Sequence, residues 1–240
     1  MVGRLSGAIL AAGHGRRLRP ASAGLPKPLI NFCGQPLLLR QIDLLHRAGL
    51  KPIHVIINSE THRLMHECDV AAPNSVDLMV RDTPNSMESL LSLGERIATG
   101  FFLLMTVDAI LLPSGLSSFV TKATKSISNS SSGLDGALGV VKWNGDANPL
   151  FVEIGSDGLI TALGESESTM VTAGVYLFST AIFTQAADAR SRRLDAMRRF
   201  LGMLIGKGMR FTALEVSPAI DIDDAASLRA AEDMIAHESE

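Results

Sequence analysis

Short apolar segments alternate with amphipathic ones over the first half of the chain. Residues 6–12 and 54–58 are rich in apolar and β-branched side chains, as expected of strands that are buried on both faces. Between them, residues 36–48 carry apolar side chains at helical spacing, with Pro36 suited to a first turn and Gly49 to a helix end. This order of strand, helix and strand predicts a right-handed parallel βαβ unit.

The same alternation is repeated towards the middle of the chain. Strands are predicted at residues 76–80 and 101–110, and helices at residues 86–98 and 114–123. The Ser- and Gly-rich residues 126–136 are predicted to form a mobile loop. The order of elements predicts an α/β fold with a doubly wound, mostly parallel sheet, Rossmann-like and arranged in three α/β/α layers.

The pattern changes after residue 136 to closely spaced strands. We predict strands at residues 137–143, 150–154 and 159–163, with a glycine-containing turn between the last two. They are expected to form a small β-rich extension that lies over the sheet. The remaining predicted elements are a strand at 172–178, an amphipathic helix at 193–206, a strand at 211–216 and a closing helix at 224–237.

Length, composition and charge narrow the class of protein. With 240 residues, 46% of them hydrophobic, the chain can bury one substantial core, so residues 1–240 are expected to form a single domain. The formal net charge is -3, and acidic and basic residues are interspersed. Such a surface has no basic stripe of the kind that attracts a polyanion. We therefore expect no nucleic acid partner.

The sequence also bears on location. Cys33 and Cys68 have neither CxxC nor metal-ligand spacing, and the N-terminus lacks signal-peptide architecture. No apolar run approaches the roughly 18 to 20 residues that cross a bilayer. The expected location is the cytoplasm, without contact to a membrane.

A glycine- and arginine-containing loop follows the first predicted strand. Its residues are Leu10, Ala11, Ala12, Gly13, His14, Gly15, Arg16 and Arg17, and Lys27 follows between two prolines. Glycines allow backbone N–H groups to approach phosphates, and the basic side chains supply countercharge. The Walker A pattern is absent, and Leu18 stands where a dinucleotide fingerprint needs its third glycine. The segment is therefore predicted to bind phosphates in another way.

Carboxylates follow two later strands. Asp108 ends the apolar run 101–107, and the carboxyl end of a parallel strand is where doubly wound sheets bind ligands. Asp221 and Asp223 are two residues apart, so in an extended chain both can face one cation. Alternatively, Asp223 or Asp224 caps the last helix. Carboxylate oxygens are ligands that Mg²⁺ prefers, so the three aspartates are candidate metal ligands.

The segments LAAGHGRRLRP and LPKPLI together resemble the signature of the nucleoside-diphosphate-sugar pyrophosphorylase superfamily of nucleotidyltransferases. The resemblance is collinear over most of the chain and implies a GT-A-like NTP transferase. It implies that the backbone of Ala11, Ala12 and Gly13 holds the nucleotide, and that the nucleotide-binding residues of this loop also include Leu10, Gly15, Arg16 and Arg17. It also implies that Arg17 binds the leaving pyrophosphate and that Lys27 bridges the α-phosphate and the acceptor phosphate. On this basis the catalytic residues are Arg17, Lys27 and Asp108, with Asp223 favoured over Asp221 as the second metal ligand.

The layout is nearest to the cytidylyltransferases for inositol phosphate or phosphocholine. Asn85, Ser86 and Ser89 match a segment that lies against the base in those enzymes, although a plain helix cap explains them equally well. Glu153 and Gly174 resemble acceptor-binding positions. The resemblance thus implies a nucleotide-binding half at about 1–125 and an acceptor-binding extension, which also completes the metal site, at about 137–220.

Two residues depart from the family pattern. Val107 stands where a glycine precedes the metal-binding aspartate, and Asp224 stands where a hydroxyl residue is usual. These departures leave open a catalytically impaired, nucleotide-sugar-binding regulatory module. A molybdenum-cofactor guanylyltransferase is a further alternative, although that enzyme carries asparagines at the positions of Asp221 and Asp223.

The expected activity is Mg²⁺-dependent formation of an NDP-sugar or CDP-alcohol from an NTP and a sugar or alcohol phosphate, with release of pyrophosphate. The expected partners are an NTP, with CTP or UTP favoured, and a small phosphorylated acceptor. A homodimer is compatible with the sequence.

Overall fold

The chain alternates between strands and helices through most of its length. The structure is a computed structural model that describes residues 5–13, 15, 18, 24–98, 100–130, 133–145, 148–164 and 167–238. Within these ranges the strands are β1 (Ser6–Ala11), β2 (Asn31–Phe32), β3 (Gln35–Pro36), β4 (Ile53–Ile57), β5 (Val76–Val80), β6 (Phe101–Thr106), β7 (Ala109–Leu111), β8 (Gly136–Lys142), β9 (Phe151–Ile154), β10 (Ile160–Gly164), β11 (Met170–Ser179), β12 (Phe211–Glu215) and β13 (Ala219–Asp221). The helices are α1 (Leu37–Arg47), α2 (Ser59–Glu67), α3 (Ser86–Gly94), α4 (Pro113–Asn129), α5 (Ala186–Ser191), α6 (Met197–Gly206) and α7 (Ala225–Glu238), with 3-10 turns at Lys27–Leu29 and Thr180–Gln185.

Parallel strands form the first part of the central sheet, in the order β5, β4, β1, β6. In the middle of β1, Ile9 pairs with Val55 on one side and with Met105 on the other. Because β1 has neighbours on both edges and helices on both faces, its side chains are almost all apolar. The predicted α/β class with a mostly parallel central sheet is confirmed.

Helices cover both faces of the sheet. Ile9 and Ala11 contact one hydrophobic core, whereas Ala8 and Leu10 contact the other, since successive strand residues point to opposite faces. Helices α1, α2, α4 and α7 contribute buried side chains to the first core, and α3, α5 and α6 to the second. The three-layer arrangement is therefore as predicted. None of the helices in the described ranges combines the length and apolar character needed to cross a membrane.

The long strand β11 connects the parallel strands to the rest of the sheet. It runs antiparallel to β6 on one edge and to β8 on the other, and β8 pairs with β12. β6 pairs only with the second half of β11, so the first half is open to the β9–β10 hairpin, which pairs through Val171 and Phe151. The predicted strands of the extension are present, but they lengthen the sheet edge to edge and do not lie over it.

Other predicted elements have different limits. The strand predicted at 101–110 is divided into β6 and β7 by a turn at Val107 and Asp108, because β7 leaves the central sheet to pair with β13. Part of the loop predicted at 126–136 is helical, since α4 continues to Asn129 and its Ile127 packs against the first core. The helix predicted at 193–206 begins at Met197, because Arg193 has a left-handed backbone with φ of 55°.

Substitution of Gly136 tests the packing of β8 against β11. A Cβ at this position would lie 2.1 Å from the carbonyl oxygen of Leu177, so Gly136→Ala is expected to lower the free energy of unfolding by about 3 kcal/mol. Gly202→Ala in α6 is the matched control, because its Cβ would meet no atom within 4 Å. That change should raise stability by roughly 0.5–1 kcal/mol through lower chain entropy. Urea unfolding of both variants makes the comparison, and equal stability of Gly136→Ala and the unmodified protein would contradict this pairing.

Candidate active site

The candidate site lies at the carboxyl edge of the parallel strands. β1 and β6 are adjacent and parallel, so the segments that follow Ala11 and Thr106 emerge side by side. A cavity of about 510 Å³ opens there, a size typical of small-molecule sites. Most of the residues singled out from the sequence line it, namely Leu10, Ala12, Gly13, Gly15, Lys27, Asn85, Ser86, Ser89, Asp108, Gly174, Asp221 and Asp223.

Lys27 lines this cavity and contacts two carboxylates. Its Nζ donates to Asp108 Oδ2 at 2.8 Å and to Asp223 Oδ1 at 2.6 Å. Burial alone lowers the pKa of the Lys27 ammonium, but the charges and hydrogen bonds of the two carboxylates outweigh burial and raise the pKa above its ordinary value. The amine therefore carries its charge at neutral pH.

The backbone around Lys27 is held on both sides. Pro26 and Pro28 are buried and restrict the chain where it enters the 3-10 turn. Gly15 has a left-handed φ of 55°, and a Cβ there would lie 2.8 Å from Lys27 Cγ. The glycine of the loop thus makes room for the lysine side chain to pass.

A small two-stranded ladder brings the two carboxylates together. β13 runs antiparallel to β7, with Asp221 opposite Ala109. The ladder is continued by Ile222, whose N–H donates to the carbonyl of Asp108 at 3.0 Å. Asp223 is the next residue, so residues far apart in sequence meet at one ammonium.

Gln41 of α1 fixes the turn that carries Asp108. Its side chain is fully buried, and Nε2 donates to the carbonyls of Val107 and Ala109 at 3.0 and 2.7 Å. Gln41 was not predicted from the sequence, where it is visible only as a lone amide on the apolar face of an amphipathic helix. Val107 itself is buried, and its N–H donates to the carbonyl of Leu10 at 3.1 Å.

Asn58 has a similar role beside the glycine loop. It follows β4, is 2% exposed, and donates from Nδ2 to the carbonyl of Ala12 at 3.0 Å. Its Oδ1 accepts from the N–H of Thr61 and so caps α2. Asn58 therefore joins the loop to the end of β4. Ala11 of the same segment is buried in the first core, so its side chain points away from the cavity.

The start of α3 forms one wall of the cavity. Asn85 caps the helix, since its Oδ1 accepts from the N–H of Glu88 at 3.0 Å. Ser86 Oγ accepts from the N–H of Met197 at 2.9 Å and joins α3 to α6. Ser89 Oγ lies 2.6 Å from Thr83 Oγ1. These residues have structural partners and also face the cavity.

The late aspartates have distinct surroundings. Asp223 contacts Lys27, whereas Asp221 Oδ1 faces Gly174, where a Cβ would lie 3.3 Å from it. Gly174 has φ of 66°, and a Cβ would also lie 2.5 Å from the Cβ of Ala109. Asp224 lies at the start of α7 and accepts from the N–H of Ser227 at 2.8 Å. Asp224 thus serves as the cap, and Asp223 is left to face the cavity.

A buried tyrosine lies on the wall formed by β11. Burial raises the pKa of the Tyr176 phenol above its ordinary range, and the negative charges of Asp221 and Asp108 act in the same direction. A hydrogen bond from Thr172 and the positive charge of Arg198 oppose this shift. The tyrosine is therefore a neutral group within electrostatic range of both carboxylates and Arg198.

One predicted acceptor-site residue lies outside the cavity lining. Glu153 is an exposed residue of β9 and is not among the residues that line the cavity. Its alternate position on the strand directs it away from the buried Val152. Arg16 and Arg17 lie outside the described residues.

Two carboxylates of the cavity have the chemistry of metal ligands. Asp108 and Asp223 offer carboxylate oxygens that converge on one point, since a single ammonium contacts both. Among the residues that the structure describes, no group of three or more His, Cys, Asp or Glu side chains is arranged to hold a metal. Two carboxylates completed by phosphate oxygens and water are a common ligand set for Mg²⁺. The pair fits a cation shared with a bound phosphate.

Comparison with known proteins establishes the family. The profile of the MobA-like NTP transferase domain matches residues 7–197, well over half of the chain. The chain belongs to this family. The nucleotidyltransferase superfamily that the glycine loop and Lys27 indicated is therefore confirmed for this MobA-like NTP transferase.

Curated relatives match over a limited part of the MobA-like chain. A mannose-1-phosphate guanyltransferase from Hypocrea jecorina is 33% identical over 96 residues, which are 39% of this chain and 26% of that protein. A mannose-1-phosphate guanylyltransferase catalytic subunit beta from Xenopus tropicalis is 49% identical over 49 residues, which are 20% of this chain and 13% of that protein. The match thus spans about a quarter or less of the relatives' length.

Solved structures match over almost the whole chain. The inositol-1-phosphate CTP transferase from T. maritima has a TM-score of 0.77 and 19% identity, with 98% of this chain and 97% of that chain covered. A Bacillus anthracis protein in complex with a sucrose has a TM-score of 0.78 and 16% identity, with coverage of 96% and 94%. These comparisons show that the MobA-like chain shares their fold.

Gln41→Met tests whether the amide holds the Asp108 turn. The change keeps the shape of the side chain but leaves two buried carbonyls without a donor, so the free energy of unfolding should fall by roughly 1–3 kcal/mol. Gln35→Met is the control, because Gln35 is exposed on β3. Denaturant unfolding compares the two. If both variants were equally stable, the amide would have no such role.

Proposed function

We propose that this MobA-like NTP transferase joins the nucleoside monophosphate part of an NTP to a small phosphorylated acceptor and releases pyrophosphate. The observation that carries the proposal is the contact of one lysine ammonium with two carboxylates beside the glycine loop. A site of this kind combines positive charge for phosphates with oxygen ligands for a cation.

The first step is binding of the triphosphate against the loop. Ala12, Gly13 and Gly15 border the cavity with small side chains or none, and the backbone amides of this loop are the proposed donors to phosphate oxygens. The α3 wall, with Asn85, Ser86 and Ser89, is the proposed position of the base. Arg17 is proposed, from the family resemblance, to neutralise the departing pyrophosphate.

The second step is in-line attack on the α-phosphorus. An oxygen of the acceptor phosphate forms the new bond, while the bond from the α-phosphorus to the bridging oxygen of the β-phosphate breaks. The electron pair leaves with pyrophosphate. The acceptor phosphate is already ionised at neutral pH, so no side chain is needed as a general base. Lys27 is proposed to bridge the two phosphates and to offset their mutual repulsion.

Mg²⁺ is the proposed cofactor. Asp108 and Asp223 would hold it, with Asp221 close by on the same wall. When bound, the ion supplies charge neutralisation at the phosphate oxygens and helps to align them. The aspartates would fix the position of the ion. The hydrogen bonds of Gln41 hold the Asp108 turn, and the β7–β13 ladder places Asp223.

The named relatives support a coarse acceptor class. The named relatives act on a hexose 1-phosphate or an inositol 1-phosphate, according to their names. We propose a sugar or polyol phosphate as acceptor, and an NDP-sugar or CDP-alcohol as product, with CTP or UTP as the favoured donor. Retention of Asp221 and Asp223 favours this class over a molybdenum-cofactor guanylyltransferase.

Asp108→Asn and Asp223→Asn should each lower pyrophosphate release at least 100-fold, on the order of the loss seen when a group that stabilises transition-state charge is removed. Asp224→Asn is the matched control, since it adjoins Asp223 but caps α7. The assay combines four NTPs with a panel of sugar and polyol phosphates.

Each outcome of that assay is informative. Turnover that is lost in Asp108→Asn and Asp223→Asn, but kept in Asp224→Asn, would support the proposal. Binding of NTP without turnover in the unmodified protein would indicate a regulatory module instead. Normal turnover in Asp108→Asn would contradict the assigned role.

Removal of divalent metal is a further test of the cofactor. Pyrophosphate release should stop in EDTA and return when excess Mg²⁺ is added, because two carboxylates and a lysine cannot replace the charge of the ion. Circular dichroism should be unchanged by EDTA, since no structural metal is proposed. Full activity in EDTA would exclude a metal-dependent reaction.

A further inference from the structure

The cavity carries positive charge at more than one place. Among the described residues that line it, Lys27 and Arg198 are the cationic ones. Lys27 is held by Asp108 and Asp223 beside the glycine loop, whereas Arg198 is in the first turn of α6. The proposed reaction uses Lys27 and gives no role to Arg198.

Arg198 is bound only loosely by neutral oxygens. Its Nη1 donates to Asn148 Oδ1 at 3.3 Å, and its Nη2 donates to the carbonyl of Asn148 at 3.2 Å. No carboxylate of the described part of the chain forms an ion pair with it. The adjacent Arg199 differs, because it pairs with Asp195 at 3.4 Å. The Arg198 guanidinium can therefore exchange its neutral partner, Asn148, for an anionic ligand.

The local helix geometry adds to the positive potential. Arg198 follows Met197, the first residue of α6, and the cap residue Ala196 has no side chain that accepts from the helix N–H groups. A cation in the first turn opposes the helix dipole and is unfavourable for the helix alone. A negatively charged group bound at this point would compensate both the guanidinium and the helix terminus.

Arg198 borders the cavity beside the segment that leads into β9. Its contact Asn148 precedes β9, and Asn148, Pro149 and Leu150 border the cavity on that side. Asp108, Tyr176 and Arg198 all line this cavity, so the two charged groups border one continuous space. A ligand whose phosphate lies at Lys27 can thus extend towards Arg198.

We propose that Arg198 selects acceptors that carry a second anionic group, a carboxylate or a further phosphate, remote from the phosphate that reacts. The inference rests on the proposed function, because it assumes that the acceptor phosphate lies at Lys27. The planar guanidinium suits both kinds of anion, since it donates two parallel hydrogen bonds.

Binding of matched acceptors tests this selection. Glucose 1-phosphate is compared with glucuronic acid 1-phosphate, and inositol 1-phosphate with inositol 1,4-bisphosphate. Titration calorimetry is done with Mg²⁺ and an α,β-methylene NTP, which cannot release pyrophosphate. In at least one pair, the member with the second anionic group should bind about tenfold more tightly than the member without it, as expected for one charge-assisted contact. The two pairs distinguish a carboxylate from a second phosphate.

Three variants assign the preference to the guanidinium. Arg198→Met should abolish the preference, because it weakens binding of the ligand with the second anionic group about tenfold and leaves binding of the other ligand unchanged. Arg198→Lys should keep part of the preference. Arg199→Met is the matched control and should behave as the unmodified protein, because Arg199 is a neighbour that pairs with Asp195 outside the cavity lining. Equal melting temperatures would show that the variants are folded.

Several results would overturn the inference. In the unmodified protein, these are equal or tighter binding of the member without the second anionic group in both pairs, or failure of both members with that group to bind. In Arg198→Met, they are equal loss of affinity for both members of a pair, or weaker binding of the NTP analogue in place of the acceptor. Pyrophosphate release is measured in parallel with the natural NTPs. Absence of turnover with Arg198-dependent binding would refute the proposed reaction and leave the selection of anionic ligands supported.

Discussion

The contact of Lys27 with Asp108 and Asp223 is the interaction on which the rest of the site depends. The three residues come from distant parts of the chain, separated by 81 and 196 positions. Each is positioned by a different local feature. Gly15 leaves room for the lysine, Gln41 fixes the Asp108 turn, and the β7–β13 ladder places Asp223. Like charges this close repel one another, so the ammonium also stabilises the pair of carboxylates.

The sheet explains why parallel and antiparallel strands border the same cavity. Its parallel strands end together and present the glycine loop and α3, as the rule for doubly wound sheets predicts. β11 then carries the sheet into its antiparallel half, where Thr172, Gly174 and Tyr176 form the facing wall. Gly174 permits this junction, because any side chain would collide with β7. The parallel and antiparallel parts of the sheet thus border the cavity that Lys27 lines.

Much of this was predictable from the sequence, for physical reasons. Strands such as β1, buried on both faces, leave long apolar runs, and Lys27, Asp108 and Asp223 belong to motifs with a chemical meaning. Gln41, Asn58 and Arg198 were missed, because their roles depend on partners that only the tertiary structure brings near. The division of residues 101–110 was missed for the same reason, since β7 is defined by its pairing with β13. Asp223 and Asp224 could be told apart only by the cap at Ser227.

The central claim is that Lys27, Asp108 and Asp223 form one centre for a metal ion and the α-phosphate. A crystal structure of the protein with Mn²⁺ and an α,β-methylene NTP tests it most directly, because Mn²⁺ gives an anomalous signal. We expect an anomalous peak between the carboxylates of Asp108 and Asp223, with Lys27 Nζ within hydrogen-bonding distance of an α-phosphate oxygen. A nucleotide bound elsewhere, or a metal that contacts neither aspartate, would contradict it.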